Sequence, residues 1–521
     1  MKRILSALLC LALCIALVGC GSAAAADDGA ADADRTETQT EAALLTAEAE
    51  AEADVETTGT IKLSDGASSA EGGGVLIVGN TVTITAGGSY RVTGTLTDGQ
   101  IVVNAPEEKV VLALDGVSVT RENSAALYVI DAKKVILSLV SWSENALSST
   151  GEYVQTDDNT VDAAVFSKDD LTIKGSGSLA VSSETGHGIV SKGELKIKSG
   201  TLTVSAAKKG MAANDLIEIT GGSIEIACGK HGIHSDDALT ISHGSLTVTE
   251  SLEGLEAKTI EISGGDIAIT ASDDALNATD SASGTEADGW GRGFGGGMDA
   301  AQEGVYILIS GGHLTVNAAG DGLDSNGDLT VTGGEVYISG PTSDGDGALD
   351  YAGTGTITGG TLIAAGSSGM AQSLSSDTQG VMLLRLSPAQ SGGAAVRVTD
   401  GSGAVLASFT PEKTYSSVVI SAPGMESGGT YTVECGGEMR SVTLEGFTYS
   451  EGGFGSMSNM PGGFGGDFSG ERPDGTPPSD FSGERPDGTP PSDFSGERPD
   501  GTPPAGFSGG GFGGGKPGKA A

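Results

Sequence analysis

Acidic and amide side chains recur about 22 residues apart in the middle of the chain, beside short junctions that contain Gly or Ala. Their oxygens are hard ligands, and Ca²⁺ takes about six to eight such ligands in loose geometry. This spacing predicts calcium, the one expected cofactor, bound between neighbouring repeats. The expected ligands are Asp321, Asp324, Asp346 and Asp350, with Asp273, Asp274 and Asn277 toward an insertion and Asp236 close by. The alternative is an acidic, solvated turn face, because Asp-Gly is an ordinary turn dipeptide.

Two histidines, His231 and His234, lie at the same junction in an earlier repeat. Imidazole nitrogens suit softer metals such as zinc. Two histidines three positions apart in a strand and turn are weak evidence for such a site, so the sequence leaves this possibility open.

The insertion at residues 280–302 offers a different chemistry, with Trp290 and Arg292 on a glycine-rich backbone. Aromatic rings and guanidinium groups are what proteins present to sugar faces and carboxylates. We therefore expect these two residues to contribute to ligand binding. The alternative is a flexible loop with no such role.

Catalysis has less support in the sequence. There is no G-x-S-x-G motif and no Cys/His pair at a useful spacing. A lyase on this kind of scaffold would need a base, and Lys192, Lys208, Lys209, Lys230 and Lys258 are candidates. Each is better explained as a solvated side chain, so no catalytic residue is predicted and an enzyme is the less favoured interpretation.

The candidate ligand side chains lie in a region of regular repeats. Three successive units of the same length are residues 189–210, 211–232 and 233–254. Each holds two apolar alternations around a Gly-Gly or Ser-Gly corner, which indicates two strands with one inward face each. Stacked coils would bury those faces together. We predict an all-β, right-handed parallel β-helix of about 22 residues per coil. Two internal ladders should form, one of Leu195, Ile217, Leu239 and Ile260 and the other of Leu202, Ile224, Leu246 and Ile267.

Composition shifts divide the chain into five parts. We predict a lipoprotein signal peptide at 1–19, an acidic disordered tether at 20–59, the β-helix at 60–379, a small β-rich C-terminal cap at 380–450 and a disordered Gly/Pro-rich repeat tail at 451–521. The tether and the tail are so poor in large apolar residues that neither can bury a core.

The first residues have the features of an export signal. Lys2 and Arg3 precede an apolar run that ends in Leu17-Val18-Gly19-Cys20, which resembles the lipobox of bacterial lipoproteins. This predicts a lipid on Cys20 and a protein anchored at the outer face of the membrane without spanning it. The alternative is an ordinary signal peptide with an incidental Cys. We expect Cys228 and Cys435 to be buried free thiols.

The formal net charge of −41 restricts the partners. Nucleic acid and anionic membrane surfaces would be repelled, so contact with a membrane is expected through the lipid anchor only. A polyanion would be met only through divalent cations or local Lys and Arg side chains. We expect a monomer.

Several motifs resemble a bacterial carbohydrate-binding β-helix family described from clostridial surface proteins and similar in shape to pectate lyases. They are AAVFSKDDLTIKGSGSLAV at 163–181, GIHSDDALTI at 232–241 and AAGDGLDSNGDLTVTGG at 318–334. The resemblance implies a calcium-containing parallel β-helix that binds acidic polysaccharide such as polygalacturonate. It assigns calcium to the Asp321–Asp350 group and to Asp273 and Asp274.

The sequence departs from that family at Lys208-Lys209-Gly210, where Asp-Asp-Gly is typical. A basic spot for carboxylate sugars is expected there in place of an early calcium site. The predicted function is therefore a surface protein that binds acidic, pectin-type polysaccharide through calcium. The alternatives are a polysaccharide lyase with a Lys base and a structural or adhesive stalk.

Overall fold

The computed structural model describes residues 57–280 and 300–451. Within these residues every regular element is a β-strand, and there is no helix. The strands wind into a β-solenoid of about 11 turns, which confirms the predicted fold class. Among the described segments, none forms a helix with the length and apolarity needed to cross a membrane. The predicted signal peptide, most of the tether and the repeat tail lie outside these residues and stay predictions.

Eight strands form the N-terminal part of the solenoid. They are β1 Gly59–Leu63, β2 Ser69–Glu71, β3 Val75–Val78, β4 Thr81–Ile84, β5 Gly88–Leu96, β6 Gln100–Glu122, β7 Leu127–Leu139 and β8 Glu144–Thr150. Two antiparallel pairs, β1 with β2 and β3 with β4, lie at this end. Within the solenoid, the strands from β5 to β25 pair with one another in parallel, with β5 on β6 and β6 on β7.

The regular repeats form the next eleven strands. They are β9 Ala163–Ser167, β10 Leu171–Gly175, β11 Ser178–Ser183, β12 His187–Ser191, β13 Glu194–Ile197, β14 Thr201–Ala206, β15 Met211–Ala213, β16 Leu216–Cys228, β17 His231–Glu250, β18 Glu253–Ala271 and β19 Leu276–Ala278. The burial of β14 alternates residue by residue, as expected for a strand with one face toward the core.

The solenoid resumes in register after the insertion, because Ile260 pairs with Ile307. Its last strands are β20 Tyr306–Ala318, β21 Leu323–Ser325, β22 Asp328–Ser339, β23 Leu349–Tyr351, β24 Gly355–Ile357 and β25 Thr361–Gly366. The insertion therefore leaves the stack of coils unbroken.

Both predicted apolar ladders are confirmed by the register. Leu195 pairs with Ile217, and Ile217 pairs with Leu239, which in turn pairs with Ile260. The second ladder runs through Leu202, Ile224, Leu246 and Ile267 in the same way. All these side chains are buried, and they belong to one apolar core that runs through the coils.

The corner between the two strands of each coil depends on glycine. The second residue of the corner has φ between 81° and 93° at six successive coils, namely Gly222, Gly244, Gly265, Gly312, Gly334 and Gly360. This left-handed backbone conformation is costly for residues with a Cβ atom. The Gly-Gly and Ser-Gly pairs of the sequence are thus explained by backbone geometry.

Seven strands follow the solenoid: β26 Val381–Gln390, β27 Val396–Thr399, β28 Val405–Phe409, β29 Tyr415–Ser421, β30 Thr430–Cys435, β31 Glu438–Thr443 and β32 Thr448–Ser450. β29 pairs antiparallel with both β25 and β26, while β27, β28, β30 and β31 form a separate antiparallel sheet. They enclose a second apolar core. This unit is the predicted cap, and it covers the edge of the last coil, where unpaired strands would promote aggregation.

Cys228 and Cys435 are both buried and form no disulfide. They are the free thiols that the sequence predicted.

Candidate metal-binding clusters and a basic cleft

One column of residues marks the place where each coil turns into the next. We call it the junction ladder. It consists of His187, Lys209, His231, Glu253, Asp274 and Asp321 and ends at Gly347, so the expected junction residue Asp346 lies one place before the column. The backbone holds it in register, since the amide after one ladder residue donates to the carbonyl of the next ladder residue. Gly188 N donates to Lys209 O at 3.0 Å, and Gly254 N donates to Asp274 O at 3.0 Å. Residues that are one repeat apart in the sequence therefore lie next to each other in adjacent coils.

A second column, the strand ladder, lies beside the first. His234 pairs with Glu256, Glu256 with Asn277, Asn277 with Asp324, and Asp324 with Asp350. Four of these side chains were expected near the junctions from the repeat spacing, namely His234, Asn277, Asp324 and Asp350. Together the two ladders change from basic and imidazole groups to carboxylates along the solenoid.

Three carboxylates come together where the two ladders meet, and we call Asp274, Asp321 and Asp324 the acidic cluster. Each offers an oxygen that lies within 4.8 Å of the other two. Asp321 and Asp324 are buried. Asp274 Oδ1 accepts a hydrogen bond from Asp321 N at 2.6 Å, and Asp321 Oδ1 accepts one from Gly347 N at 2.5 Å. Backbone amides thus fix the orientation of two of the three carboxylates.

The carboxylates of the acidic cluster repel one another when all of them are ionised. Burial, and then the negative charges of Asp321, Asp324 and Asp273, raise the pKa of Asp274 to about 9. Without a cation, Asp274 would therefore be protonated at neutral pH. A bound divalent cation would offset this repulsion between the carboxylates.

The carboxylates of Asp273 and Asp274 lie so close to Gly320 that only glycine fits at this position. A Cβ atom on Gly320 would lie 2.4 Å from Asp274 Oδ1 and 2.6 Å from Asp273 Oδ1. The donor set consists of hard oxygens, which fits calcium better than a softer metal. These residues are suited to hold the predicted calcium.

The other expected calcium ligands are placed differently. Asp350 continues the strand ladder, but its Oδ1 accepts a hydrogen bond from Gln372 Nε2 at 2.5 Å. Asp346 is half-buried and does not belong to the acidic cluster. Asp273 is exposed beside Gly320, and the Asn277 amide donates to Glu253 Oε2 at 3.1 Å. Asp236 lies against a histidine, away from the three aspartates.

Two coils earlier, His231, His234 and Glu256 form what we call the histidine–glutamate cluster. One atom of each lies within 4.8 Å of the others, and the two imidazole rings are 5.4 Å apart. Burial opposes the charged form of His231, but Glu253 and Glu256 outweigh it and raise its pKa to about 9. Burial likewise opposes the charge of Glu256, yet the two histidines hold its pKa well below the usual range.

A basic cleft of about 160 Å³ adjoins the histidine–glutamate cluster. Its polar lining includes His187, Lys192, Lys209 and His234, with Asp162, Asn214 and Asp236. Burial, followed by the charges of Lys208, Lys209 and Lys192, lowers the pKa of His187 to about 3. His187 is therefore neutral at pH 7, and the cleft brings Lys192 and Lys209 together with Asp162 and Asp236. A larger cleft of about 310 Å³ at the N-terminal end lies among β1, β2 and β5, away from both clusters.

The predicted ligand-binding lysines separate in the structure. Lys209 lines the basic cleft, and its backbone amide donates to His187 Nδ1 at 3.1 Å. Lys208 is half-buried and is not part of the lining. Trp290, Arg292 and Cys20 lie outside the described residues, so their predicted roles stay predictions.

Sequence reasoning missed His187 and Asp162 as members of this region. The signal for His187 was present, because His187-Gly188 stands at the same point of its repeat as Lys209-Gly210 and His231-Gly232 do. Asp162 has no such signal. It reaches the cleft because residues 163–167 stack on the coil that begins at His187.

Comparisons with known proteins bear on these features. Residues 78–347 and 227–442 match a family model described as carbohydrate-binding domain-containing protein. A protein of the same description from Acetivibrio thermocellus is 39% identical over 136 residues, which are 26% of this chain and 48% of that protein. The match thus spans about half the length of this relative. A solved structure of the polysaccharide lyase-like protein from C. thermocellum, a gadolinium derivative, is 29% identical with a TM-score of 0.40, covering 53% of this chain and 97% of that one.

Proposed function

The chain belongs to the family of carbohydrate-binding domain-containing proteins, and from this premise we propose that it binds acidic polysaccharide of the pectin type at a bacterial cell surface. In this proposal, a sugar chain with carboxylate groups lies along the junction ladder. It meets the lysines of the basic cleft at one end and calcium on the acidic cluster at the other. The lipid on Cys20 would hold the protein at the membrane.

The observation that carries the proposal is the order of charges along one face of the coils. Lys209 and Asp321 are on the same junction ladder, four coil spacings apart, which is roughly 20 Å at ~4.8 Å per coil. Lys192 and Lys209 offer direct contacts to a carboxylate. The acidic cluster would instead attract a sugar carboxylate through a shared cation.

The net charge makes these two contacts necessary. At −41 the protein repels a polyanion unless cations or local basic groups lie between them. A neutral polysaccharide would need neither a bridging cation nor a basic side chain to approach the protein. The proposal therefore predicts both selectivity for acidic glycans and dependence on calcium.

A retention assay on immobilised polygalacturonate tests this proposal. We expect the purified protein to be retained with calcium, to be released by a calcium chelator, and to be retained poorly on a neutral polysaccharide. Lys209→Ala should weaken binding by about tenfold, as expected for the loss of one charge-assisted hydrogen bond. Lys198→Ala is the matched control, because Lys198 is exposed and is not part of the cleft lining.

The proposal fails if retention on polygalacturonate is absent both with and without calcium. The same samples are then examined for unsaturated products. Their absorbance would indicate a polysaccharide lyase, for which Lys192 and Lys209 would be the first candidate bases.

A further inference from the structure

We propose that the histidine–glutamate cluster, formed by His231, His234 and Glu256, binds a divalent transition metal of the zinc class. This site is separate from the acidic cluster and does not depend on the proposed glycan function. Its ligand atoms would be Nδ1 of His231, Nδ1 of His234 and Oε2 of Glu256.

The first observation is that these polar atoms are buried without hydrogen bonds. The side chains of His234 and Glu256 are only 7% and 8% exposed. Within the described residues, Nδ1 of both histidines and Oε2 of Glu256 make no hydrogen bond. A buried polar atom without a hydrogen bond is destabilising, and more so when the group is charged. The three atoms contact one another as ion-pair partners, and a cation shared between them would satisfy all three.

The second observation is the distances between these atoms. His234 Nδ1 lies 3.4 Å from Glu256 Oε2, and His231 Nδ1 also contacts that oxygen. Zinc bonds of about 2.0–2.2 Å in tetrahedral geometry place neighbouring ligand atoms about 3.4 Å apart. The separation of His234 Nδ1 and Glu256 Oε2 therefore matches the spacing around one small ion, whereas His231 Nδ1 lies closer to that oxygen than this spacing and would move apart on metal binding.

The third observation is the support behind His234. Its outer nitrogen, Nε2, lies 2.9 Å from Asp236 Oδ1. A proton on Nε2 would be donated to this carboxylate, which leaves the lone pair of Nδ1 directed at the cluster. A carboxylate behind a metal-binding histidine commonly fixes the ring and its tautomer in this way. Asp236 thus acts as a positioning residue.

The fold brings the ligands together through the repeat. The coil that begins at residue 231 reads His-Gly-Ile-His, and the next coil reads Glu-Gly-Leu-Glu at the same positions. β17 and β18 pair in register, so that His231 faces Glu253 and His234 faces Glu256. Gly232 allows this close stacking, since a Cβ atom there would lie 2.7 Å from Gly254 O.

The donor set selects the class of metal. Two imidazole nitrogens and one carboxylate oxygen suit zinc and its neighbours in the transition series, whereas calcium prefers an all-oxygen set. Glu253 Oε2 lies 3.5 Å from His231 Nδ1 but already accepts a hydrogen bond from Asn277. We therefore assign three protein ligands and leave the fourth position to water.

Metal titration of the full chain tests the proposal. The protein is stripped of metal and titrated with Zn²⁺ by calorimetry and with Co²⁺ by visible absorption. We expect one zinc ion per chain and the intense absorption bands of tetrahedral Co²⁺, both unaffected by millimolar calcium. Glu256→Gln and His234→Gln should each weaken zinc binding more than 100-fold. Asp236→Asn should weaken it by about 10–100-fold and keep the tetrahedral spectrum, as expected for an outer-shell residue.

Two control variants test whether zinc binding is specific to the histidine–glutamate cluster. His243→Gln changes an exposed histidine on the same strand and should leave zinc binding unchanged. Asp274→Asn changes the acidic cluster and should also leave it unchanged, so a failure of the calcium proposal can be told apart from a failure of this one.

The proposal is overturned if wild-type protein shows no stoichiometric zinc binding, or if Glu256→Gln binds zinc as tightly as wild type. It is also overturned if nitrogen NMR finds both imidazoles protonated against Glu256 in the presence of zinc, because the cluster would then hold protons in place of a metal.

Discussion

At the scale of single residues, the stacked coils bring together side chains that are far apart in the sequence. Asp274 and Asp321 are 47 residues apart in sequence, yet one donates its backbone amide to the carboxylate of the other at 2.6 Å. His234 and Glu256 come from neighbouring coils and lie 3.4 Å apart. The same ladder position therefore holds a mixed nitrogen and oxygen set at one height and an all-oxygen set at another.

The acidic cluster gives a pH-dependent prediction. The pKa of Asp274 is raised to about 9 in the folded protein from its ordinary value of 3.8. Between these values the folded state holds a proton that the unfolded state has lost, so stability falls as pH rises across that window. Asp274→Asn should flatten this fall in calcium-free protein. Thermal melts from pH 4 to pH 9 provide the measurement.

Calcium gives the complementary signal in the same melts. At 100-fold excess over its Kd, a ligand stabilises the folded state by about 2.7 kcal/mol. We expect calcium to raise the wild-type Tm by a few degrees at pH 7, and the Asp274→Asn variant to lose most of this rise. Asp266→Asn is a matched control on β18, outside the acidic cluster. An equal calcium effect in wild type and Asp274→Asn would contradict a role for this cluster.

At the scale of the elements, each coil is held by inward apolar side chains and by a glycine corner. A single strand of five or six residues could not bury its inner face alone. The ladders solve this by placing like side chains directly above each other, as Leu202 and Ile224 are. This arrangement also explains why the outer face can carry so much charge.

A core substitution tests the ladder energetics. Ile224 is 2% exposed between Leu202 and Leu246, so Ile224→Ala removes methyl groups from a packed stack. We expect a loss of about 2–5 kcal/mol in the free energy of unfolding. Glu225→Ala, next to it on the exposed face, should change the free energy by less than about 0.5 kcal/mol. Denaturant unfolding of both variants distinguishes them, and equal losses would contradict the inward assignment of Ile224.

At the scale of the whole molecule, the net charge and the proposed lipid anchor concern where the protein would be located. Its net charge of −41 favours solubility and opposes contact with anionic lipid headgroups. A protein with this charge would stay at a membrane only if something else held it there. The proposed lipid on Cys20 would provide that attachment.

The anchor can be tested by fractionation. Cys20→Ser should move the protein from the membrane fraction to the soluble fraction and abolish incorporation of a labelled fatty acid. Cys228→Ser is the control, because this buried thiol belongs to the solenoid and should not affect the distribution. Membrane association that survives in Cys20→Ser would refute the lipid anchor.

The sequence by itself determined the solenoid, because a 22-residue period of inward apolar residues allows essentially one way to bury them. The pairing of Ile217 with Leu239 and the glycine corners both followed from that pattern. The carboxylates of the two ladders could also be foreseen as neighbours, since the repeat places them at the same position of successive coils.

Only the tertiary structure decided which of those neighbours converge. Side-chain direction at a junction depends on local backbone turns and on the amides that happen to be free there. Asp321 is oriented by Gly347 N, whereas Asp350 is engaged by Gln372 and Asp236 by His234. Repeat spacing fixes the height of a residue along the solenoid, but the contacts around each side chain fix the point at which its ligand atom is directed.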